Sequence, residues 1–95
     1  MNIKSLAQLR ALLISMERSL GLGHLSMNEK DVLYAMSEVA DGDPRTARSE
    51  HIRAHPLAAP IPQASYHRAL AGLLDYGLIS HAPEAKTGIY IVPGI

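Results

Sequence analysis

Gln63-Ala64-Ser65-Tyr66-His67-Arg68-Ala69-Leu70-Ala71-Gly72-Leu73-Leu74-Asp75-Tyr76-Gly77-Leu78-Ile79 is the stretch whose reading decides the fold. Tyr66, Leu70, Leu73 and Leu74 recur at helical spacing and line one face, while Gln63, His67, Arg68 and Ala71 fall mostly on the others. Pro62 suits the first turn of a helix over about 62–76, and Gly77 is its stop. Leu78-Ile79 then leads into extended chain. Ile79 to Ala82 reads as a short strand, Pro83 to Gly88 as a turn-rich tip, and the β-branched and aromatic run Ile89-Tyr90-Ile91-Val92 as the returning strand of a hairpin.

Upstream, Ser26-Met27-Asn28-Glu29 is a capping box, in which Ser and Glu each satisfy an amide that the helix start leaves free. Val32, Leu33, Met36, Val39 and Ala40 continue it as an amphipathic helix, with Tyr34 at the edge of the core. Asp41-Gly42-Asp43-Pro44 ends it. A further helix is expected from about Arg45 or Thr46 to His55, with Thr46 and Ser49 as candidate caps and Ile52 as its one strong apolar residue. Pro56, Pro60 and Pro62 forbid helix across the connector 56–62, because each lacks an amide donor and restricts the residue before it.

The first segment, Ser5 to about Leu20, carries more apolar surface than one small core needs. Ser5-Leu6-Ala7-Gln8 fits a capping box. Leu6, Leu13 and Leu20 repeat every seven residues, and Leu9 and Met16 fill the alternate seam positions. Leu12 and Ile14 widen the face, and Gly21 and Gly23 end the segment. Such a helix either packs wholly on its own core or turns one side to a second chain.

Four helices followed by a hairpin predict a mainly α fold with a small β-hairpin. The 63–79 stretch resembles the recognition helix and wing approach of winged helix-turn-helix bacterial transcription regulators of the MarR-like and PadR-like kind. Tyr66 takes the apolar place of their pattern, His67-Arg68 the polar pair, Leu70 and Leu73 the core places, and Gly77-Leu78-Ile79 the turn into the wing. Leu25-Ser26 with Val32-Leu33-Tyr34-Ala35-Met36 is similar to the first helix of that domain. The resemblance covers residues 25–92. It implies a three-helix core plus wing over 25–95, preceded by an N-terminal dimerisation element over 1–24. It also implies a sequence-specific double-stranded DNA-binding transcriptional regulator acting as a homodimer, with helix 62–76 in the major groove. The sequence departs from the pattern in its long connector 56–62 and in a wing tip whose one cation is Lys86. Relatives usually add C-terminal dimerisation helices after the hairpin, so here dimerisation falls to Leu6, Leu9, Leu13, Met16 and Leu20.

Composition narrows the function classes. The chain has 95 residues, 47% of them hydrophobic and 19% charged, enough for one modest core. No Cys is present, which excludes disulfides, thiolate chemistry and Cys-ligated metal. Nothing reads as a signal peptide and no apolar run approaches a membrane span, so a cytoplasmic protein is expected. Net charge is zero, yet its layout is uneven. Residues 28–44 set Glu29, Asp31, Glu38, Asp41 and Asp43 against Lys30. Residues 45–68 set Arg45, Arg48, Arg53 and Arg68 against Glu50, and include His51, His55 and His67.

DNA reading needs donors and acceptors on the exposed start of a helix, and Gln63, Ser65, His67 and Arg68 provide them. Arg68 suits a guanine edge or a phosphate; its plain structural role would be a salt bridge with Asp75 or Glu50. Arg45, Arg48 and Arg53 are candidate phosphate clamps, with His81 and Lys86 weaker candidates on the hairpin. His51 and His55 stand four apart on a helix, a chelating spacing, but Ile52 occupies the place where a zinc peptidase would need Glu, and no metal site is assigned. No phosphate-binding Gly loop or nucleophile elbow occurs, so no enzyme and no cofactor are expected. A small-molecule effector is left open. The competing reading is a winged-helix module for protein–protein contact without DNA.

Overall fold

The computed structural model describes residues 2–83 and 88–92. The chain is mainly helical with a small three-stranded antiparallel sheet. In order it forms α1 (Ile3–Ser19), α2 (Met27–Val39), β1 (Thr46–Arg48), α3 (Ser49–Ala54), α4 (Gln63–Asp75), β2 (Ser80–His81) and β3 (Ile89–Ile91). The sheet order is β1-β3-β2. Thr46, Ala47 and Arg48 face Ile91, Tyr90 and Ile89 on one side of β3, and Ser80 and His81 face Ile91 and Tyr90 on the other.

The core lies where α2, α3 and α4 meet the sheet. Tyr66, Met36, Ile52, Leu73 and Val32 are its largest fully buried side chains, with Leu70, Ile79, Tyr90 and Val92 around them. Tyr66 and Leu73 come from the helical face read in the sequence. Ala58 and Ile61 in the connector are buried as well, so the proline-bearing loop closes over the core instead of hanging from it.

Several local expectations meet a different outcome. Residues 46–48 form a strand, not the start of a helix, because β3 offers its free edge: the Val92 amide donates to the Arg45 carbonyl at 3.0 Å, and Ala47 is buried. Thr46 therefore caps nothing. Ser49 opens α3 but makes no capping bond; its hydroxyl bonds the Tyr66 hydroxyl at 2.8 Å instead. The cap of α1 is Asn2, whose side chain accepts the Ser5 amide at 2.8 Å, so Ser5 lies inside the helix and not at its boundary. Pro62 stands just before α4 as its boundary residue. The Ser26/Glu29 capping box of α2 forms in both directions. Gly21, at φ 77°, follows α1 in the left-handed conformation that side chains resist.

α1 stands apart from this core. The packed unit begins at Leu22 and Leu25. Leu6, Leu9, Leu13, Met16 and Leu20 remain between 46% and 55% exposed. Glu17 is the buried residue of the helix. With α1 projecting, the molecule measures 47 × 26 × 23 Å.

Candidate nucleic-acid interface

Packing of α4 decides which of its side chains stay free. Tyr66, Ala69, Leu70 and Leu73 are locked into the core, which turns Gln63, His67 and Arg68 to solvent. Ser65 is half-buried beside them. The first two turns are internally organised: the Gln63 amide donates to His67 Nε2 at 2.9 Å, and Arg68 Nη2 donates to Ser65 Oγ at 3.0 Å. Among the described residues no carboxylate lies within ion-pair distance of Arg68. Neither Asp75 nor Glu50 takes it; Glu50 approaches Arg48 at 3.8 Å, with both side chains exposed. The Arg68 guanidinium thus keeps most of its donors for a partner.

Beside Arg68 runs a small groove of about 140 Å³, bordered by Ser26, Asn28 and Glu29 at the start of α2 and by Ser65 and Ala69 on α4. Ser26 and Asn28 are additions to the residues named from sequence. The capping box marked the beginning of α2, but nothing local said that this beginning would lie against α4. Gly72 allows the close approach, since a methyl there would collide with the Glu29 carboxylate.

The remaining cations divide. Arg45 Nη2 donates to the Ser37 carbonyl at 2.6 Å, at the far end of α2. Arg53 lies over the Tyr66 ring, 4.6 Å from its centre, and donates to the Ala58 carbonyl at 2.9 Å, fastening the connector to α3. Arg48 is exposed on β1. Lys86 lies outside the described residues. His81 is exposed on β2, its ring 5.3 Å from that of Tyr90.

His51 and His55 part company. His51 is exposed, whereas His55 is held by two partners. The Leu57 amide donates to its Nδ1 at 3.1 Å, so the ring proton sits on Nε2, which bonds the Glu38 carboxylate. Among the described residues no three His, Asp or Glu side chains gather as a metal site.

A second polar cluster joins α1 to α2. The Glu17 carboxylate accepts from Lys30 Nζ at 3.1 Å and from the Tyr34 hydroxyl at 2.5 Å. The Tyr34 hydrogen bond, more than the Lys30 charge, holds Glu17 below the ordinary carboxylate range against the opposing effect of burial. Burial, reinforced by Glu17, pushes Tyr34 well above the usual phenol range. Asp31 nearby is raised by burial first and by the Glu17 charge second. The sequence signal for this cluster was a lone acid on the flank of a leucine-rich helix.

Comparison with protein-family models, with curated proteins and with solved structures gave no match for this chain. Among the described residues no helix is long and apolar enough to cross a membrane.

Proposed function

We propose that the protein is a sequence-specific double-stranded DNA-binding transcriptional regulator that acts as a homodimer, with α4 entering the major groove. The observation that carries this reading is the division of α4. Its apolar face is immobilised in the core while Gln63, His67 and Arg68 project from its first turns, Arg68 with no carboxylate at ion-pair distance among the described residues. A rigid helix presenting such donors and acceptors is what base readout requires. The order helix, strand, two helices and hairpin, with β1 and β2 flanking β3, supports a winged helix-turn-helix over 25–95. The exposed apolar face of α1, within 1–24, supports the dimer. A two-fold dimer would double the phosphate contacts that one chain of zero net charge can make.

The test is binding to a selected operator at two salt concentrations. Affinity should fall steeply with salt as phosphate neutralisation releases counterions. Arg68→Ala should lose about 1–3 kcal/mol of specific binding if the side chain reads a base. Unchanged affinity with the fold intact removes Arg68 from the interface. The internal engagement of Arg45 and Arg53 favours the second reading, a protein–protein module, and the absence of any salt-dependent DNA binding would select it.

A further inference from the structure

We infer that Gln63 reads an adenine in the major groove and that His67 sets the Gln63 amide for that base. The inference rests on the DNA-binding reading proposed above and names the base that the start of α4 takes.

The Gln63 side chain carries one acceptor, its carbonyl oxygen, and N–H donors on its nitrogen. One donor is engaged by His67 Nε2 at 2.9 Å. Among the described residues nothing else bonds this amide, and Gln63 is exposed, so its oxygen and its second N–H remain for a partner. What stays free is one acceptor beside one donor. In the major groove guanine offers acceptors only, cytosine a donor only and thymine an acceptor only. Adenine sets a donor, N6–H, beside an acceptor, N7. An untethered Gln could turn both N–H groups toward guanine, and the bond to His67 removes that option. Arg68 is different. Bonded to Ser65 through Nη2, it keeps donors only, and donors do not separate guanine from a phosphate.

The same bond fixes where the amide points. The His67 ring leans on that of Tyr66, with centroids 5.6 Å apart and planes at 62°. Tyr66 is itself immobile: it is fully buried, its hydroxyl is bonded to Ser49, and Arg53 lies over its ring. A chain of contacts thus runs from the core through Tyr66 and His67 to Gln63. Glutamine is among the side chains that lose most freedom when held. Part of that loss has already occurred before DNA arrives, which favours the held orientation over its alternatives. Gln63 is also the first residue of α4, at the end of the helix that meets base edges in helix-turn-helix docking.

A mere surface pair at this spacing would steady α4 slightly and leave base preference alone. The test separates the two roles. The unmodified full chain selects a duplex from a random pool, and each adenine of that duplex is replaced in turn by 7-deazaadenine. This base keeps its pairing and its N6 amino group but lacks N7. At one position per half-site the replacement should weaken binding about tenfold, within the range a bidentate contact is worth. Gln63→Ala should abolish that sensitivity. His67→Ala should cut the preference for adenine over guanine at the same position by about fivefold or more. His67→Gln, whose amide oxygen can accept from Gln63 one turn away, should restore it. Gln63 and His67 are both exposed, so the core is untouched. Absence of salt-dependent DNA binding overturns the DNA reading and this inference with it. DNA binding with no 7-deaza-sensitive adenine, or with a sensitivity that survives Gln63→Ala, overturns the inference and leaves the DNA reading standing. A sensitivity that needs Gln63, with an adenine preference that His67→Ala leaves unchanged, overturns the positioning role of His67.

Discussion

Glu17 shows how one residue can set the bearing of a helix. Its neighbours in α1 are open to solvent, yet Glu17 is only 6% exposed and its carboxylate takes two donors from α2. α1 is thus tied to the core by a charged hydrogen-bonded contact more than by apolar packing. A hydrogen bond to a charged group contributes about 1.5–3 kcal/mol net. Glu17→Ala should therefore speed amide exchange in the second half of α1 by roughly 10–100-fold through local opening, while amides of Leu33 and Met36 keep their protection. Equal acceleration in both helices would show that α1 belongs to the same cooperative unit. The sign of the pH effect follows from the depressed Glu17 value. Its contribution is present above the unfolded carboxylate value and is lost as pH falls through the folded one. After correction for intrinsic exchange, α1 in the unmodified protein should loosen below about pH 4, and Glu17→Gln should remove that dependence. Tyr34 adds the opposite limb: its raised value keeps the hydroxyl donor protonated beyond the ordinary phenol value of about 10, so its contribution is full below that pH and is lost only as pH rises through the higher folded value.

At the scale of elements, the start of α2 and the middle of α4 are coupled through Gly72. Replacing Gly by Ala in an open helix stabilises it by about 1 kcal/mol. Here the added methyl would displace the Glu29 carboxylate, which accepts the Ser26 amide at 2.8 Å as half of the capping box. Losing that bond costs about 0.5–1.5 kcal/mol. Gly72→Ala should accordingly change urea stability by less than about 0.5 kcal/mol in the unmodified chain. In a Glu29→Ala background it should recover the full gain of about 1 kcal/mol. Additive effects in the cycle would mean that the two helices do not share this contact.

For the whole molecule the decisive feature is an apolar helix standing outside a core that is already closed. Leu6, Leu9, Leu13, Met16 and Leu20 together form a patch of the size soluble monomers avoid. Leu13→Glu puts a charge at the centre of the proposed seam. We predict that it converts a dimer to a monomer of 10.3 kDa in sedimentation without lowering the core's stability. Operator affinity should drop with it, and the slope of log affinity against log salt should fall to about half, because one chain neutralises half the phosphates. A Leu13→Glu variant that stays dimeric would move the interface away from α1.

Much of the fold was legible because its signals are local. The helical spacing of Tyr66, Leu70 and Leu73, the Ser26/Glu29 box and the glycine after α1 each act within one or two turns, and the helices form where those signals fall. The strand β1 was not legible. Its three residues carry no alternation long enough to read, and they become a strand because β3, more than forty residues later, offers an edge. The site divided in the same way. Which residues of α4 face outward follows from periodicity, so Gln63, His67 and Arg68 could be named in advance. Whether a cation is free depends on carbonyls and rings brought near by folding: Arg53 meets Tyr66 and Ala58, and Arg45 meets Ser37. By itself, then, the sequence determined that four helices form, though not where α1 and α3 begin, together with the hairpin strands and the exposed face of α4, through interactions between residues a few positions apart. Only the tertiary structure decided the third strand, the burial of Glu17 and the engagement of Arg45, Arg53 and His55, since each needs a partner on another element that folding brings near.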